Sequence, residues 1–353
     1  MNNCSFAISG DLDSKTGGYI YDRNLVAALR EAGRGVEVLG LGDSFPDPTQ
    51  ADEKAALRML RAVPADRPLI LDGLVFGTLD TEALAHIAAP MIVMLHHPLG
   101  LEAGLPPDRA RALIARETAN LRLAAHVVVP SPHVARLLRG DFGVPADKIS
   151  VALPGFKRPA MQDLPKDDPP LILSVGLICA RKGHDVLLDA LARLTDLRWQ
   201  AAIVGLTQDA PLGAALKARC EQPDLIGRVR FTGCISDAEL QALYSRASLF
   251  ALATRYEGYG MAFGEAMLNG LPIVTSAVGA VPDTVPEAAG LLVPPDDPPA
   301  FADALRRLLR DPAERDNGGR AARRAALALP DWADTAAVMA AALDRVSAEC
   351  CSR

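Results

Sequence analysis

The sequence predicts an α/β protein built from two doubly wound domains, each with a parallel sheet covered by helices. Three observations lead to this fold class. Short apolar runs alternate with helical patterns along the 353 residues, and a proline-rich segment divides this alternation into two halves. Half of the residues are hydrophobic (50%), which is enough to fill a core in each domain.

The first domain, residues 1–155, contains five short apolar runs that each precede a helical pattern. The predicted strands are Cys4–Ile8, Val36–Leu39, Leu69–Leu71, Met91–Leu95 and Val127–Val129. The predicted helices span about 18–32, 50–61, 79–88, 108–123 and 132–139. Buried strands separated by helices favour parallel pairing, because a crossover helix returns the chain to the same edge of the sheet.

A change of composition at residues 156–170 predicts a linker, since prolines and charges replace the apolar period there. A second alternating unit follows over 171–320, and a helical tail at 321–353 ends the chain, with helical character beginning at about 312. The strands expected in the second unit are Leu171–Val175, Gln200–Val204, Val229–Phe231, Leu249–Leu252, Pro272–Thr275 and Leu291–Val293. The helices expected there lie near 184–194, 212–221, 237–246, 262–269 and 299–310.

Composition excludes several classes of protein. The net charge of −6 argues against a nucleic-acid binder. No apolar run is long enough to span a membrane, and the N-terminus lacks the pattern of a signal peptide. The six cysteines show no spacing typical of metal ligands. We therefore expect a cytoplasmic protein with reduced thiols.

The most informative stretch is YEGYGMAFGEAM, residues 256–267. Glu257 lies in a loop, and Glu265 lies about one turn inside a helix that begins near Met261. The loop between them contains Gly258, Tyr259 and Gly260, and the helix continues through Ala262. A helix N-terminus is a natural seat for phosphate, and a carboxylate on either side suits the hydroxyl groups of a nucleotide-sugar. Two glutamates near a helix start are also common as surface charge, so the spacing alone leaves both interpretations open.

A glycine-rich loop follows the first strand, SGDLDSKTGGYIYD at residues 9–22. Gly17 and Gly18 stand directly before the predicted helix, where they allow the backbone to approach a ligand. The spacing is not GxGxxG, so the dinucleotide fingerprint is absent. Asp11 and Asp13 form a DxD pair, which favours loop capping or solvated charge over a metal site in this context.

Two further motifs follow strand ends. Arg181 and Lys182 lie where the first strand of the second domain meets its helix, and two cations there could bind a diphosphate or form a solvated basic turn. His96 follows the strand MIVML, where it could contact a sugar hydroxyl or have a structural role. Ligands of open α/β sheets bind beyond the carboxyl ends of the strands, so we expect a site in a cleft between the domains.

Taken together these motifs resemble a known family. VGLICARKGHDVLLDAL (175–191), the segment that contains YEGYGMAFGEAM, and AGLLVPPDD (289–297) are similar to the donor domain of family 4 retaining glycosyltransferases. These enzymes have the GT-B fold, in which two Rossmann-like domains face a cleft and a C-terminal helix packs back toward the N-terminal domain. The resemblance is strong over about 170–310 and weaker over 1–155.

The resemblance implies roles for individual residues. Glu265 would bind the ribose hydroxyls, and Glu257 would lie beside the donor sugar. Lys182 matches the phosphate-binding lysine, and His96 matches a histidine that contacts the transferred sugar. The loop and helix-start residues Gly258, Tyr259, Gly260, Met261 and Ala262 would hold sugar and phosphate, Gly17 and Gly18 would form the family's glycine-rich loop, and Ile235 would lie near the base. One departure is Leu177, where many members have arginine; Arg181 would supply the second cation.

The resemblance also implies the chemistry. Members transfer a hexose from a nucleotide-diphosphate-sugar, here a UDP- or GDP-sugar, to a hydroxyl acceptor with retention, by front-face attack and without a metal, so no cofactor is expected. A related nucleotide-sugar epimerase and a non-catalytic nucleotide-sugar binder remain alternatives. Many relatives reach lipid acceptors through a basic surface, so Arg109, Arg116 and Arg122 predict peripheral membrane contact, with ordinary solvated arginines as the alternative.

Overall fold

The computed structural model describes residues 3–159 and 164–351, with side chains in the last helix described to residue 349. The chain divides into two compact units. Unit 1 comprises Met1–Gly155 and Pro330–Arg353, and unit 2 comprises Phe156–Leu329. In the described part of the chain, no helix combines the length and the apolar composition needed to cross a membrane.

The elements alternate between strand and helix in both units. The strands are β1 (Cys4–Ile8), β2 (Val36–Gly40), β3 (Leu69–Asp72), β4 (Met91–Met94), β5 (His126–Val129), β6 (Ile149–Val151), β7 (Leu171–Val175), β8 (Gln200–Val204), β9 (Val229–Gly233), β10 (Leu249–Leu252), β11 (Ile273–Ser276) and β12 (Gly290–Val293). The helices are α1 (Gly17–Glu31), α2 (Gln50–Arg61), α3 (Gly73–Phe76), α4 (Thr81–Ala85), α5 (Pro107–Leu121), α6 (Pro132–Gly140), α7 (His184–Leu191), α8 (Ala210–Cys220), α9 (Asp237–Arg246), α10 (Met261–Leu268), α11 (Val281–Thr284), α12 (Pro298–Arg310), α13 (Pro312–Ala326) and α14 (Trp332–Cys351).

Each unit contains a six-stranded sheet among its described residues. The strand order is β2-β1-β3-β4-β5-β6 in unit 1 and β12-β11-β10-β7-β8-β9 in unit 2. Neighbouring strands pair in parallel throughout both sheets. The order reverses between β1 and β3 in unit 1 and between β10 and β7 in unit 2. In doubly wound sheets the crevice at such a reversal is where ligands bind, so the topology marks one candidate position in each unit.

The fold class predicted from sequence is therefore confirmed, with differences in single elements. Strand β6 is too short to be recognised from its apolar pattern. The helix predicted at 79–88 is only the five-residue α4. Asp80 caps its N-terminus, since the Asp80 carboxylate accepts a hydrogen bond from the amide of Ala83 at 3.0 Å. The long helix predicted from about 312 is two helices, α13 and α14, because Pro330 cannot continue a helix and restricts the residue before it.

The end of the chain packs in unit 1. Helix α14 lies against α1, where the rings of Trp332 and Tyr21 meet edge to face with centroids 5.4 Å apart. The guanidinium of Arg34 binds Asp344 at 2.7 Å, and the hydroxyl of Thr335 donates to the carbonyl of Leu153 at 2.7 Å. The expectation of a C-terminal helix packed on the N-terminal domain is thus met. The structure divides the chain between Leu329 and Pro330, whereas the predicted boundary at 320/321 lies inside α13.

The predicted linker at 156–170 lies against unit 2 where it is described; residues 160–163 are outside the described part of the chain. The ring of Phe156 fits against α10 at a position where Gly264 has no side chain. Arg158 donates to the carbonyls of Ala326 and Leu329, at 2.6 and 2.7 Å. Asp167 binds Arg246 at 2.7 Å. Proline content alone does not reveal these contacts.

A buried carboxylate holds the loop after β4. Glu117 of α5 is 1% exposed, and its two oxygens accept the backbone amides of Leu99 and Gly100, at 2.7 and 3.0 Å. Burial raises the pKa of Glu117 to about 7, although both amides favour its charged form. Helix α5 thereby fixes the turn that follows His96.

This carboxylate predicts a pH dependence of stability. A carboxyl whose pKa is higher in the folded protein contributes stability that is complete below about pH 4.5 and is lost as the pH rises toward 7. The Glu117→Gln variant should lack this loss, which is of order 3 kcal/mol at most. Its unfolding free energy, measured by urea titration from pH 5 to 8, should therefore fall less than that of the wild type.

Exposed Glu31, at the end of α1, provides a control through Glu31→Gln. This variant should show the wild-type slope. Equal slopes for Glu117→Gln and the wild type would show that Glu117 is ionised at all these pH values.

Candidate functional site

The candidate site of unit 2 lies at the carboxyl ends of β7 and β10. These strands are neighbours in the sheet, with Leu249 opposite Ile172 and Phe250 opposite Leu173. The loop after β7 contains Arg181 and Lys182, and the loop after β10 contains Glu257. Parallel pairing therefore brings these three residues to one edge of the sheet although they are distant in sequence.

The turn that presents the two cations depends on a glycine. Gly183 has a φ of 61°, in the left-handed region, and joins a short helical turn at Ala180–Lys182 to α7. A Cβ atom at Gly183 would lie 1.9 Å from the carbonyl oxygen of Ala253, in the loop after β10. The two loops are thus in direct backbone contact, and no other residue type fits at this position without movement of the backbone.

Hydrogen bonds join the same two loops. The carbonyl of Arg181 accepts the amide of Arg255 at 2.7 Å and the hydroxyl of Thr254 at 3.0 Å. The guanidinium of Arg255 donates to the carbonyl of Ala180 at 2.6 Å and makes two bonds to Asp185, at 3.0 and 2.7 Å. Arg255 therefore holds the backbone on which Arg181 and Lys182 stand. Sequence reasoning did not identify Arg255 or Thr254, because their role is visible only in these contacts.

The carboxylate of Glu257 lies between the two cations. The ammonium of Lys182 is 2.7 Å from Oε1, and the guanidinium of Arg181 is 3.9 Å from Oε2. Glu257 is 4% exposed. Burial raises the pKa of Glu257, but the charges of Lys182 and Arg181 outweigh it, so the pKa lies below its usual value. The structure thus brings three predicted site residues together as a cluster of one buried anion and two partly buried cations.

Helix α10 begins beside this cluster. Gly260 precedes it in a left-handed conformation with a φ of 89°, and a Cβ there would collide with the ring of Phe263, 2.5 Å away. Gly258 does not share this conformation. Among the described residues, the amides of Met261 and Ala262 have no backbone acceptor. The helix therefore presents free N–H groups at its start, as the sequence predicts.

Glu265 lies in the second turn of α10 and is half-buried. The hydroxyl of Tyr244 donates to its Oε2 at 2.8 Å. In the described part of the chain, Oε1 accepts no hydrogen bond from protein groups. Burial raises the pKa of Glu265, while the bond from Tyr244 opposes this rise and the charge of Asp237 adds to it. Tyr244 was missed by the sequence analysis, because a tyrosine in an amphipathic helix predicts only core packing.

Two predicted residues occupy other positions. The side chain of Tyr259 is buried and packs against Phe156, so only its backbone is available to a ligand. Its carbonyl accepts the hydroxyl of Thr284 at 2.9 Å. Ile235 lies in the loop between β9 and α9 and is partly exposed.

The candidate site of unit 1 lies at the carboxyl ends of β1, β3 and β4. Gly17 and Gly18 are the first residues of α1, and a Cβ at Gly17 would meet open space. A Cβ at Gly18 would lie 3.5 Å from Cδ2 of His96. The ring nitrogen Nε2 of His96 is 2.9 Å from Oδ1 of Asp22, which is 1% exposed. The predicted glycine loop and histidine are therefore neighbours.

A second aspartate lies nearby. Asp72 ends β3 and is 2% exposed. Burial raises the pKa of Asp72 to about 7, with a further rise from Asp22 and an opposing effect of His96. Burial lowers the pKa of His96, but Asp22 and Asp72 outweigh it, so the net shift is upward. The sequence analysis did not identify Asp22 or Asp72. The signal that could have identified Asp22 is its position on the same buried face of α1 as Leu25 and Leu29, where a carboxylate is unusual.

The two aspartates of the DxD pair have partners within or close to their own loop. Asp11 accepts the amide of Asp13 at 2.9 Å, and Asp13 lies 3.8 Å from Arg23. In the described part of the chain, no three His, Cys, Asp or Glu side chains converge as metal ligands would.

The arginines of α5 have local partners. Arg109 pairs with Asp47, and Arg116 donates to the carbonyl of Thr78 at 2.7 Å. Arg122, just past the end of α5, is exposed.

Two family models match this chain. The model described as Glycosyl transferases group 1 matches residues 157–325, and the model described as Glycosyltransferase Family 4 matches residues 20–157. The chain belongs to glycosyltransferase family 4. Its two six-stranded sheets with flanking helices are those of the GT-B fold.

Curated relatives include an alpha-D-kanosaminyltransferase from Streptomyces kanamyceticus, 34% identical over 42% of this chain, although the match covers only 39% of that protein. An MMP alpha-(1->4)-mannosyltransferase from Mycolicibacterium hassiacum is 28% identical over 86% of this chain and 77% of its own length. A D-inositol 3-phosphate glycosyltransferase from Xylanimonas cellulosilytica is 28% identical over 91% of this chain and 89% of its own length.

Solved structures share the fold. Sucrose-phosphate synthase from Thermosynechococcus elongatus superimposes with a TM-score of 0.84 at 24% identity, covering 99% of this chain and all of the other. Anabaena HepE in complex with UDP-glucose gives a TM-score of 0.72 at 18% identity, covering 97% of this chain and 99% of the other.

The turn at Gly183 gives a test of how the two loops of the site are joined. Gly183→Ala adds a methyl group that would lie 1.9 Å from the carbonyl of Ala253, in a backbone conformation that alanine disfavours. We expect a loss of at least about 2 kcal/mol in unfolding free energy. Urea denaturation followed by circular dichroism measures it.

Gly227→Ala is the matched control. Gly227 has a φ of 73°, but a Cβ there would meet no atom within 4 Å. The unfolding free energy of this variant should fall only by the cost of placing alanine in a left-handed backbone conformation, about 1 kcal/mol. Equal losses in the two variants would mean that the close approach to Ala253 contributes nothing.

Proposed function

We propose that this protein is a retaining glycosyltransferase that moves a sugar from a nucleotide-diphosphate-sugar to a hydroxyl acceptor without a metal ion. The observation that carries this proposal is the cluster of Arg181 and Lys182 around Glu257 at the reversal of the unit 2 sheet, beside the free amides of α10. Two cations and a helix N-terminus provide the donors that a diphosphate needs.

In this proposal the leaving group is a nucleoside diphosphate, whose negative charge grows as the glycosidic bond breaks. Arg181, Lys182 and the amides of Met261 and Ala262 bind its phosphate oxygens. Fixed positive groups aimed at a developing charge lower the barrier without reorganisation at the moment of reaction. Electrostatic binding by these side chains takes the place that a divalent cation has in other transferases.

Glu257 is assigned to the donor sugar. It is held as an anion by two cations, which lowers its basicity and makes it a weak nucleophile. Glu257 therefore accepts hydrogen bonds from sugar hydroxyls, and retention proceeds by front-face attack in which the departing phosphate takes the acceptor's proton. Oε1 of Glu265 accepts hydrogen bonds from the ribose hydroxyls, while the bond from Tyr244 to Oε2 fixes the orientation of that carboxylate.

Similar proteins support a nucleotide-sugar donor. HepE has been crystallised with UDP-glucose, and the names of the curated relatives describe glycosyl transfer. In the proposal the donor is a UDP- or GDP-sugar with its base near Ile235, and the contact of His96 with the transferred sugar stays a prediction. Peripheral membrane contact at Arg116 and Arg122 remains a prediction, and Arg109 is partly neutralised by Asp47.

A donor panel tests the reaction. The protein is incubated with UDP- and GDP-sugars and with hydroxyl acceptors, products are detected by mass spectrometry, and the anomeric configuration is read by NMR. Transfer with retention in the presence of EDTA supports the proposal. Conversion of a donor without an acceptor would indicate an epimerase, and nucleotide-sugar binding without turnover would indicate a binding protein.

The two glutamates should have separable effects. Glu257→Gln should lower kcat at least about tenfold with little change in donor KM, because its contact is made at the reacting sugar. Glu265→Gln should raise donor KM about tenfold with a smaller change in kcat, since one bond to a charged group contributes about 1.5–3 kcal/mol. Steady-state kinetics with the preferred donor measures both.

Exposed Glu287, before β12 on the opposite edge of the sheet, supplies the control variant Glu287→Gln, with wild-type kinetics expected. If both site variants changed kcat and KM by similar factors, the division of roles between Glu257 and Glu265 would be wrong.

A further inference from the structure

The ring of His96 is held along the edge that contains Cδ2 and Nε2. A Cβ at Gly18 would lie 3.5 Å from Cδ2, and Asp22 is 2.9 Å from the adjacent Nε2. The ring of Tyr21 meets it edge to face, with centroids 4.9 Å apart. All three residues belong to α1, so the Cδ2–Nε2 edge faces that helix.

The opposite ring atom is Nδ1. In the part of the chain that the structure describes, Nδ1 of His96 has no hydrogen-bond partner, and the side chain is 24% exposed. Asp22, in contrast, is almost completely buried. The imidazole therefore has one edge fixed by a buried carboxylate and one edge open to a ligand.

The surroundings of the ring carry negative charge. The ionisable groups that face it are Asp22 and Tyr21 from α1 and Asp72 from the end of β3. Tyr21 is neutral because burial raises the pKa of its hydroxyl, which donates to the carbonyl of Ala152 at 2.8 Å. In the described part of the chain no Lys or Arg forms an ion pair with buried Asp22, so His96 is its counter-ion.

We propose that Asp22 is a positioning residue that holds His96 as an imidazolium, with its Nδ1–H directed away from α1 as a hydrogen-bond donor to a substrate oxygen. Asp72 contributes charge, and in the described part of the chain no hydrogen bond joins it to the ring. This inference rests on the proposed function for the identity of the ligand, and it excludes one alternative use of the same pair. A neutral His96 with Nε2–H on Asp22 would present a lone pair at Nδ1 and could act as a general base.

The two states differ in the protons on the ring, which NMR observes in the protein without substrate. Histidine is labelled with ¹⁵N, and the His96 signals are assigned by comparison with His96→Gln. The titration midpoint of the ring should lie above about 6.5, and both ring nitrogens should be protonated at pH values below that midpoint. A midpoint at or below about 6.5 would overturn the proposal.

Variants separate the hydrogen bond from the charge. Asp22→Asn removes both and should lower the midpoint by at least about one pH unit, whereas Asp72→Asn removes charge only and should lower it by less. Tyr21→Phe keeps the ring contact, loses the bond to Ala152, and should leave the midpoint unchanged. An unchanged midpoint in Asp22→Asn refutes the role of Asp22. If Asp22→Asn does not fold, the titration midpoints of His96 in Asp22→Glu and in the wild type decide the role of Asp22.

Activity gives an independent reading. If His96 donates as a cation, kcat/KM falls as the pH rises through its midpoint, and Asp22→Asn moves that fall to lower pH. If His96 instead acted as a general base, kcat/KM would fall as the pH falls. This result would contradict the proposal. Should no donor be transferred under any condition, the proposed function fails, while the NMR titration still decides the state of His96.

Discussion

The candidate site of unit 2 depends on the ion pair between Lys182 and Glu257, whose residues are 75 positions apart in sequence. The pair can form only because β7 and β10 are neighbours in a parallel sheet, so that their following loops leave the same edge. The close approach of Gly183 to Ala253 and the bonds of Arg255 then fix the distance between the loops. Buried charges of opposite sign are stable only with such fixed geometry.

Elements with a strong local signal could be predicted from sequence. Apart from β6, the strands of both sheets have short apolar runs, and α10 is bounded by glycines at 260 and 270 that both adopt positive φ. The parallel topology followed from the alternation of strand and helix. Because the ends of parallel strands share one edge, the placement of Glu257 with Arg181 and Lys182 could be expected as well.

The missing parts of the site depend on contacts between distant segments. Asp22 in a helix and Tyr244 in another helix carry no motif, and each matters only through the side chain that it touches, His96 and Glu265 respectively. The division between Leu329 and Pro330 likewise reflects where α14 packs. Local sequence patterns do not contain this information.

The charge balance of the Glu257 cluster suggests how binding and chemistry are coupled in the proposed reaction. Without a donor, Glu257 is the anion that compensates Lys182 and Arg181 in a buried site. A diphosphate brings its own negative charge to the same cations, which then bind both anions. The carboxylate is then less tightly paired and becomes available to the hydroxyls of the sugar attached to that diphosphate. Glu257 would thus engage the sugar only when the phosphates are in place, which links recognition of the leaving group to orientation of the reacting carbon.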